Sequence, residues 1–63
     1  MKKLQYKVEK VEDGIRYLTV YCEGKIMTEL ECLGDYMTNG EEIEFWLDDN
    51  GYGDEEYEIE EIF

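Results

Sequence analysis

Lys3-Leu4-Gln5-Tyr6-Lys7-Val8-Glu9-Lys10-Val11, the triplet Glu12-Asp13-Gly14, and Ile15-Arg16-Tyr17-Leu18-Thr19-Val20-Tyr21-Cys22 together decide the fold. Leu4, Tyr6 and Val8 alternate with polar neighbours, the period of two that marks a half-buried strand. Glu12-Asp13-Gly14 supplies the turn, read as a three-residue hairpin loop with glycine in the left-handed position. That loop sets Val8 opposite Leu18, Tyr6 opposite Val20 and Leu4 opposite Cys22, so one face becomes apolar. A slip by one residue would send the second strand's apolar side chains to water.

Working outward, Cys22-Glu23-Gly24 is read as a second turn of the same kind, placing Val20 against Ile26 and Leu18 against Thr28. Leu30 and Cys32 continue that face, and Tyr17, Thr19, Tyr21, Met27, Glu29 and Glu31 fall on the other. The expected meander spans about residues 3–11, 15–22 and 25–33. Residues 34–40 read as a loop with turn formers at both ends. A fourth strand is expected over about 41–47, with Ile43, Phe45 and Leu47 on one side and Glu42, Glu44 and Trp46 on the other. Asp48 to Asp54 is a long turn. The segment 55–63 alternates as a fifth strand; its rival is a short C-terminal helix carrying Ile59, Ile62 and Phe63 at helical spacing. The fold class expected is thus all-β, with that C-terminal helix as the variant. It is a five-stranded antiparallel meander in a strongly curved sheet or a partly open barrel of SH3 or OB size.

The chain has 63 residues, which fits a single small acidic β domain over 1–63. A core of roughly a dozen side chains leaves no room for a deep pocket of several hundred Å³. Histidine, serine, proline and alanine are absent. No imidazole chemistry or His-ligated metal is open to the chain, and a bundle built without alanine is disfavoured. Nine aromatic residues separate it from a disordered acidic tail. No motif is specific enough to point to a family.

Charge is the strongest signal. The formal net charge is −12, and residues 26–63 hold fourteen acids and no base, whereas residues 1–25 hold six bases and four acids. Direct nucleic-acid binding and anionic membranes are disfavoured, because phosphates need Lys and Arg. A basic protein, above all a DNA- or RNA-binding one, is the expected partner. No run of about 18 apolar residues spans a membrane, and Met1-Lys2-Lys3 leads into no signal-peptide core. Two cysteines, Cys22 and Cys32, fit a reduced cytoplasmic setting and read as core residues lying about 20 Å apart.

The candidate partner-binding residues are Glu42, Glu44, Trp46, Asp48, Asp49, Tyr52, Asp54, Glu55, Glu56, Glu58 and Glu60. If the fourth and fifth strands paired, Glu42, Glu44, Trp46, Glu56, Glu58 and Glu60 would form a ladder. Carboxylates on one strand face recur about every 6.5–7 Å, close to phosphate spacing along a nucleic-acid strand. An exposed Trp46 and Tyr52 would add stacking or cation–π contacts. The bland alternative is a solvated face that keeps the chain soluble and blocks edge-to-edge aggregation. Asp48 to Asp54 resembles a calcium loop only in part: counted as an EF-hand from Asp48, position 12 falls on Ile59 where Glu is required. No metal or cofactor is expected, and no catalytic residue: a carboxylate pair needs a cleft that separates the two pKa values.

The leading expectation is therefore a non-enzymatic inhibitor or regulator of a nucleic-acid-binding protein, acting through a phosphate-mimicking carboxylate surface. Phage and mobile-element inhibitors of the anti-restriction or anti-CRISPR class have this profile. The competing expectation is a structural module that homo-oligomerises, as a homodimer for instance, through Tyr17, Tyr21 and Met27 or an open edge strand.

Overall fold

A computed structural model describes residues 2–62. The first two strands, β1 (Lys2–Glu12) and β2 (Ile15–Cys22), are joined by the two-residue loop Asp13-Gly14. Both loop residues have positive φ, 54° and 76°, the conformation of a type I′ hairpin turn whose twist matches that of the strands. The loop is thus one residue shorter than the sequence reading expected. A bulge between Val8 and Lys10 leaves Glu9 unpaired and restores the register, so Val8↔Leu18, Tyr6↔Val20 and Leu4↔Cys22 pair as expected.

The loop to β3 (Lys25–Leu33) is likewise two residues, Glu23-Gly24. Here the bulge adds to the shift rather than cancelling it, because it lies on the strand after the turn. Val20 faces Thr28 and Leu18 faces Leu30, not Ile26 and Thr28. The displacement is two residues, so Thr28, Leu30 and Cys32 keep the expected face. Met27, the extra residue of the bulge, packs partly against the core instead of joining the opposite face.

The expected fourth strand is a helix, α1 (Asn39–Asp49). Ile43 and Leu47 alternate with Phe45 in sequence, but they also sit at i and i+4, and both are buried while Phe45 is 62% exposed. The ends of the helix are specified locally. The Thr38 side chain accepts from the Glu41 backbone N–H and the Glu41 carboxylate accepts from the Thr38 N–H, at 3.2 and 2.9 Å, a capping box. At the other end Asn50 caps the helix and Gly51 takes φ 84°. The Tyr52 N–H then donates to the Leu47 carbonyl at 2.8 Å, which closes a Schellman motif.

The last strand is β4 (Tyr57–Glu61), which pairs with β1 and runs parallel to it. The sequence reading of a strand holds over these residues; Phe63 lies outside the described ones. The expected pairing of this strand with the 41–47 segment does not occur, since that segment is helical. Sheet order is β3-β2-β1-β4. The result is mostly β: four strands in an open mixed sheet with one short helix, not a five-stranded antiparallel meander or a barrel.

The helix must bridge the two sheet edges, three strand spacings of about 4.8 Å each. Eleven helical residues span about 16 Å, so α1 crosses one face of the sheet. Leu4, Leu18, Val20, Cys32, Ile43 and Leu47 form the buried core between the two layers. Arg16, on the same face, fixes the loop leading into the helix: its guanidinium donates to the Asn39 side chain and to the carbonyls of Gly34 and Met37 at 3.2 and 3.3 Å. The other sheet face has no covering layer among the described residues. There Lys10 lies over the Tyr17 ring at 4.7 Å, and Thr19 is buried at 4% exposure. Cys22 and Cys32 are free thiols, and burial pushes the Cys32 thiol up to about 11 with Glu42 adding to the shift. No helix among the described residues is long and apolar enough to cross a membrane.

Candidate functional site

Because residues 39–49 are helical, the carboxylate ladder expected from strand geometry does not form. A helix advances about 100° per residue, so Glu42 and Glu44 point in roughly opposite directions. Glu42 is half-buried, beside Cys32, whereas Glu44 is exposed. Trp46 is not a free stacking platform. It packs against the core and stacks on Tyr52, with ring centroids 5.7 Å apart and planes 17° apart.

What the helix brings together instead is a cleft between its C-terminal half and β4. The cleft has a volume of about 350 Å³ and is open to solvent, not the deep pocket the size argument excludes. Glu44 and Asp48 form one wall from successive turns of α1, and Glu55 and Glu56 approach from the turn before β4. Leu47 and Ile59 supply apolar surface, and Tyr52 and Tyr57 also line it. Gly53 completes the wall: a Cβ there would lie 2.7 Å from Asp48 Oδ1, so only glycine lets the Asp48 carboxylate rest against the turn.

Of these acids Glu55 alone is tied down. The Tyr57 hydroxyl donates to Glu55 Oε2 at 2.8 Å and Lys2 Nζ lies 3.4 Å from the same oxygen. The Tyr57 hydrogen bond, then Lys2, holds the Glu55 carboxyl below its usual range, and the same bond pushes Tyr57 up to about 12. Among the described residues Glu44, Asp48 and Glu56 have no salt bridge.

The remaining predicted residues lie elsewhere. Asp49 and Asp54 are exposed at the helix end and in the turn. In β4, Ile59 pairs with Leu4 on the helix side, so Glu58 and Glu60 point to the opposite sheet face. Lys3 bridges Glu60 there at 2.8 Å, which raises the Lys3 pKa. The sequence reading missed Phe45. Expected on the same strand side as Ile43 and Leu47, it stands exposed on the outer side of the helix with Glu41, Glu44, Asp48 and Asp49 around it. The capping box at Thr38 and Glu41 was the signal that would have placed it there.

Asp48 and Asp49 occupy the last turn of α1, which contains no basic residue. Negative charge at a helix C-terminus opposes the macrodipole and costs about 0.3–1 kcal/mol per group at exposed positions. The Asp48–Asp54 turn caps the helix through Asn50 and the Tyr52 N–H and walls the cleft through Asp48, Tyr52 and Gly53.

The fold and site define a mostly β protein whose one helix carries an acidic crest beside an acidic, aromatic-lined cleft. Set against protein-family models, curated proteins and solved structures, the chain matches none.

Proposed function

We propose that this is a non-enzymatic binding protein that inhibits or regulates a basic, nucleic-acid-binding protein by offering carboxylates where that partner expects phosphates. The observation that carries the reading is the acidity of α1 and its cleft, where Glu44, Asp48, Asp49 and Glu56 have no salt bridge among the described residues. Glu41, Glu44 and Asp48 follow one another at i+3 and i+4 along the helix, neighbours at about 5–6 Å between Cβ atoms. Phe45 stands exposed among them, an apolar anchor within a polar rim, the arrangement that concentrates binding energy at interfaces. Asp48 and Asp49 sit where the helix would be more stable without them. Inhibitors of the kind that phage and mobile elements encode match this profile.

The test is capture from host lysate on the tagged protein, with stepwise salt elution and competition by duplex DNA or RNA. A retained nucleic-acid-binding protein that either duplex displaces is the expected result, with loss of capture by the Glu44→Lys, Asp48→Lys, Asp49→Lys, Glu56→Lys variant and an unchanged circular dichroism spectrum. Capture that survives the four reversals with the fold intact would sink the proposal.

A second reading, homodimerisation, rests on the unpaired edge of β3, where Ile26 and Leu33 are 64% and 69% exposed, and on the uncovered sheet face. Sedimentation decides it: a stable symmetric dimer that Ile26→Lys dissociates supports assembly, and a monomer at high concentration removes it.

A further inference from the structure

Resting on the reading above, we infer that the cleft between α1 and β4 is a receptor for a single arginine side chain of the partner protein. Three features of the cleft converge on that group. Its volume, about 350 Å³, admits one long side chain entering from solvent but not a folded element. Leu47 and Ile59 offer apolar surface along which an aliphatic stem lies, as the stems of long basic residues do. Glu44 and Asp48 on the helix wall, with Glu55 and Glu56 across from them, make the lining acidic.

The geometry favours a guanidinium over an ammonium. A planar fork with five donors can engage more than one carboxylate at once, whereas an ammonium is a compact point charge that keeps its water more strongly. Tyr52 adds an aromatic surface, and Trp46 stacked at 5.7 Å holds its ring in place, which suits a flat cation. Glu55 is already held by Tyr57 and Lys2, so it closes one end of the cleft and leaves the other three acids to the ligand. A phosphate-binding protein carries such arginines, and one of them would be taken from its phosphate.

The experiment uses the full chain and the capped peptides Gly-Arg-Gly, Gly-Lys-Gly and Gly-citrulline-Gly, followed by amide chemical shifts. Arginine is expected to shift Glu44, Asp48, Tyr52 and Glu56 with affinity of order millimolar, lysine to bind several-fold more weakly, and citrulline not to bind. Glu44→Gln with Asp48→Asn should weaken arginine binding about tenfold. Glu29→Gln with Glu31→Gln, the same charge change on the far face of the sheet, should leave it within about twofold. Equal binding of arginine and lysine, or equal losses in the two double variants, overturns the inference, since bulk charge then accounts for everything. The amide spectra report folding of each variant directly. If the arginine peptide seats in the cleft and no nucleic-acid-binding protein is ever captured, the receptor stands and the partner class falls. If a duplex-displaced partner is captured while the peptide leaves the cleft residues unshifted, the partner class stands and the receptor falls.

Discussion

Replacing Asp49 by lysine should stabilise this protein, and the size of the gain tests whether the acidity of α1 serves anything but the fold. Asp49 is exposed in the last helical turn and makes no salt bridge among the described residues. Asp49→Lys removes a charge that opposes the macrodipole and adds one that favours it, two steps of about 0.3–1 kcal/mol each. A net gain of about 1 kcal/mol follows at low salt. Unfolding entropy for a chain of 63 residues is roughly 130 cal/mol/K, so Tm should rise by about 5–8 °C. Lysine is also a better helix former than aspartate, which alone contributes a few tenths of a kcal/mol. Asp49→Gln separates the two effects, because glutamine has lysine's propensity without its charge. Thermal unfolding by circular dichroism should therefore order the three as Lys above Gln above Asp. The Lys–Gln gap should shrink toward zero in about 1 M salt, where the Debye length is about 3 Å. A lysine variant no more stable than the glutamine variant at low salt, or a gap that salt leaves unchanged, would refute the electrostatic account. The same substitution should weaken partner capture. A residue that lowers stability and raises binding is one retained for binding.

Three further outcomes check other parts of the structure. Arg16→Met should cost about 2–3 kcal/mol in denaturant unfolding, since it strips the Gly34 and Met37 carbonyls and the Asn39 side chain of their donor, whereas Lys10→Met, which loses only a surface contact over Tyr17, should cost under about 1 kcal/mol. Thr38→Ala should cost about 1 kcal/mol in unfolding, while the Glu41 carboxyl, held below its ordinary value first by the backbone N–H of residue 38, which alanine keeps, should stay below that value in an NMR titration. Glu55→Gln should bring the Tyr57 hydroxyl down from about 12 toward its ordinary value, read by ultraviolet absorbance. Tyr57 has its folded pKa raised, so its contribution to stability is complete below pH 10 and is lost as pH rises toward 12 in the native protein alone.

The first three strands were legible because alternation is unambiguous where turn residues bound it: Leu4, Tyr6 and Val8 admit no helical reading. The first register came out right although its loop was misjudged by a residue, because the bulge at Glu9 compensates. Bulges have no sequence mark in either hairpin, so the second register, where nothing compensates at Met27, was misplaced. The helix was lost to a coincidence of periods. Ile43 and Leu47 are four apart, which satisfies both a period of two and a period of 3.6, and Phe45 between them tipped the reading toward a strand. The caps were the better evidence. Thr38 with Glu41, and Asn50 with Gly51, bracket a span of helical length. The acidity of the candidate site was read correctly as composition. Its grouping was not, because which carboxylates share a face depends entirely on that period.

The charge distribution gives the molecule a direction. On the uncovered face of the sheet Lys3, Lys7 and Lys10 lie among Glu9, Glu12, Glu29, Glu31, Glu58 and Glu60 and bridge Glu60, Glu9 and Glu12 respectively. From residue 35 to residue 56, the helix and its flanking turns, there are nine acids and no base. The molecule is about 15 Å thick in its shortest dimension, roughly two Debye lengths at physiological ionic strength. A basic partner approaching the helix side therefore meets nine acids in a segment without a base, and one approaching the sheet meets a weaker field, because three lysines offset half of the acids there. Encounters are oriented before any contact forms, and the association rate should fall steeply with added salt. Reversing Glu44 should slow association, and reversing Glu29 should leave it nearly unchanged, although both alter the net charge equally. Equal slowing would mean that the partner senses only the total charge and that the placement of the helix has no part in recognition.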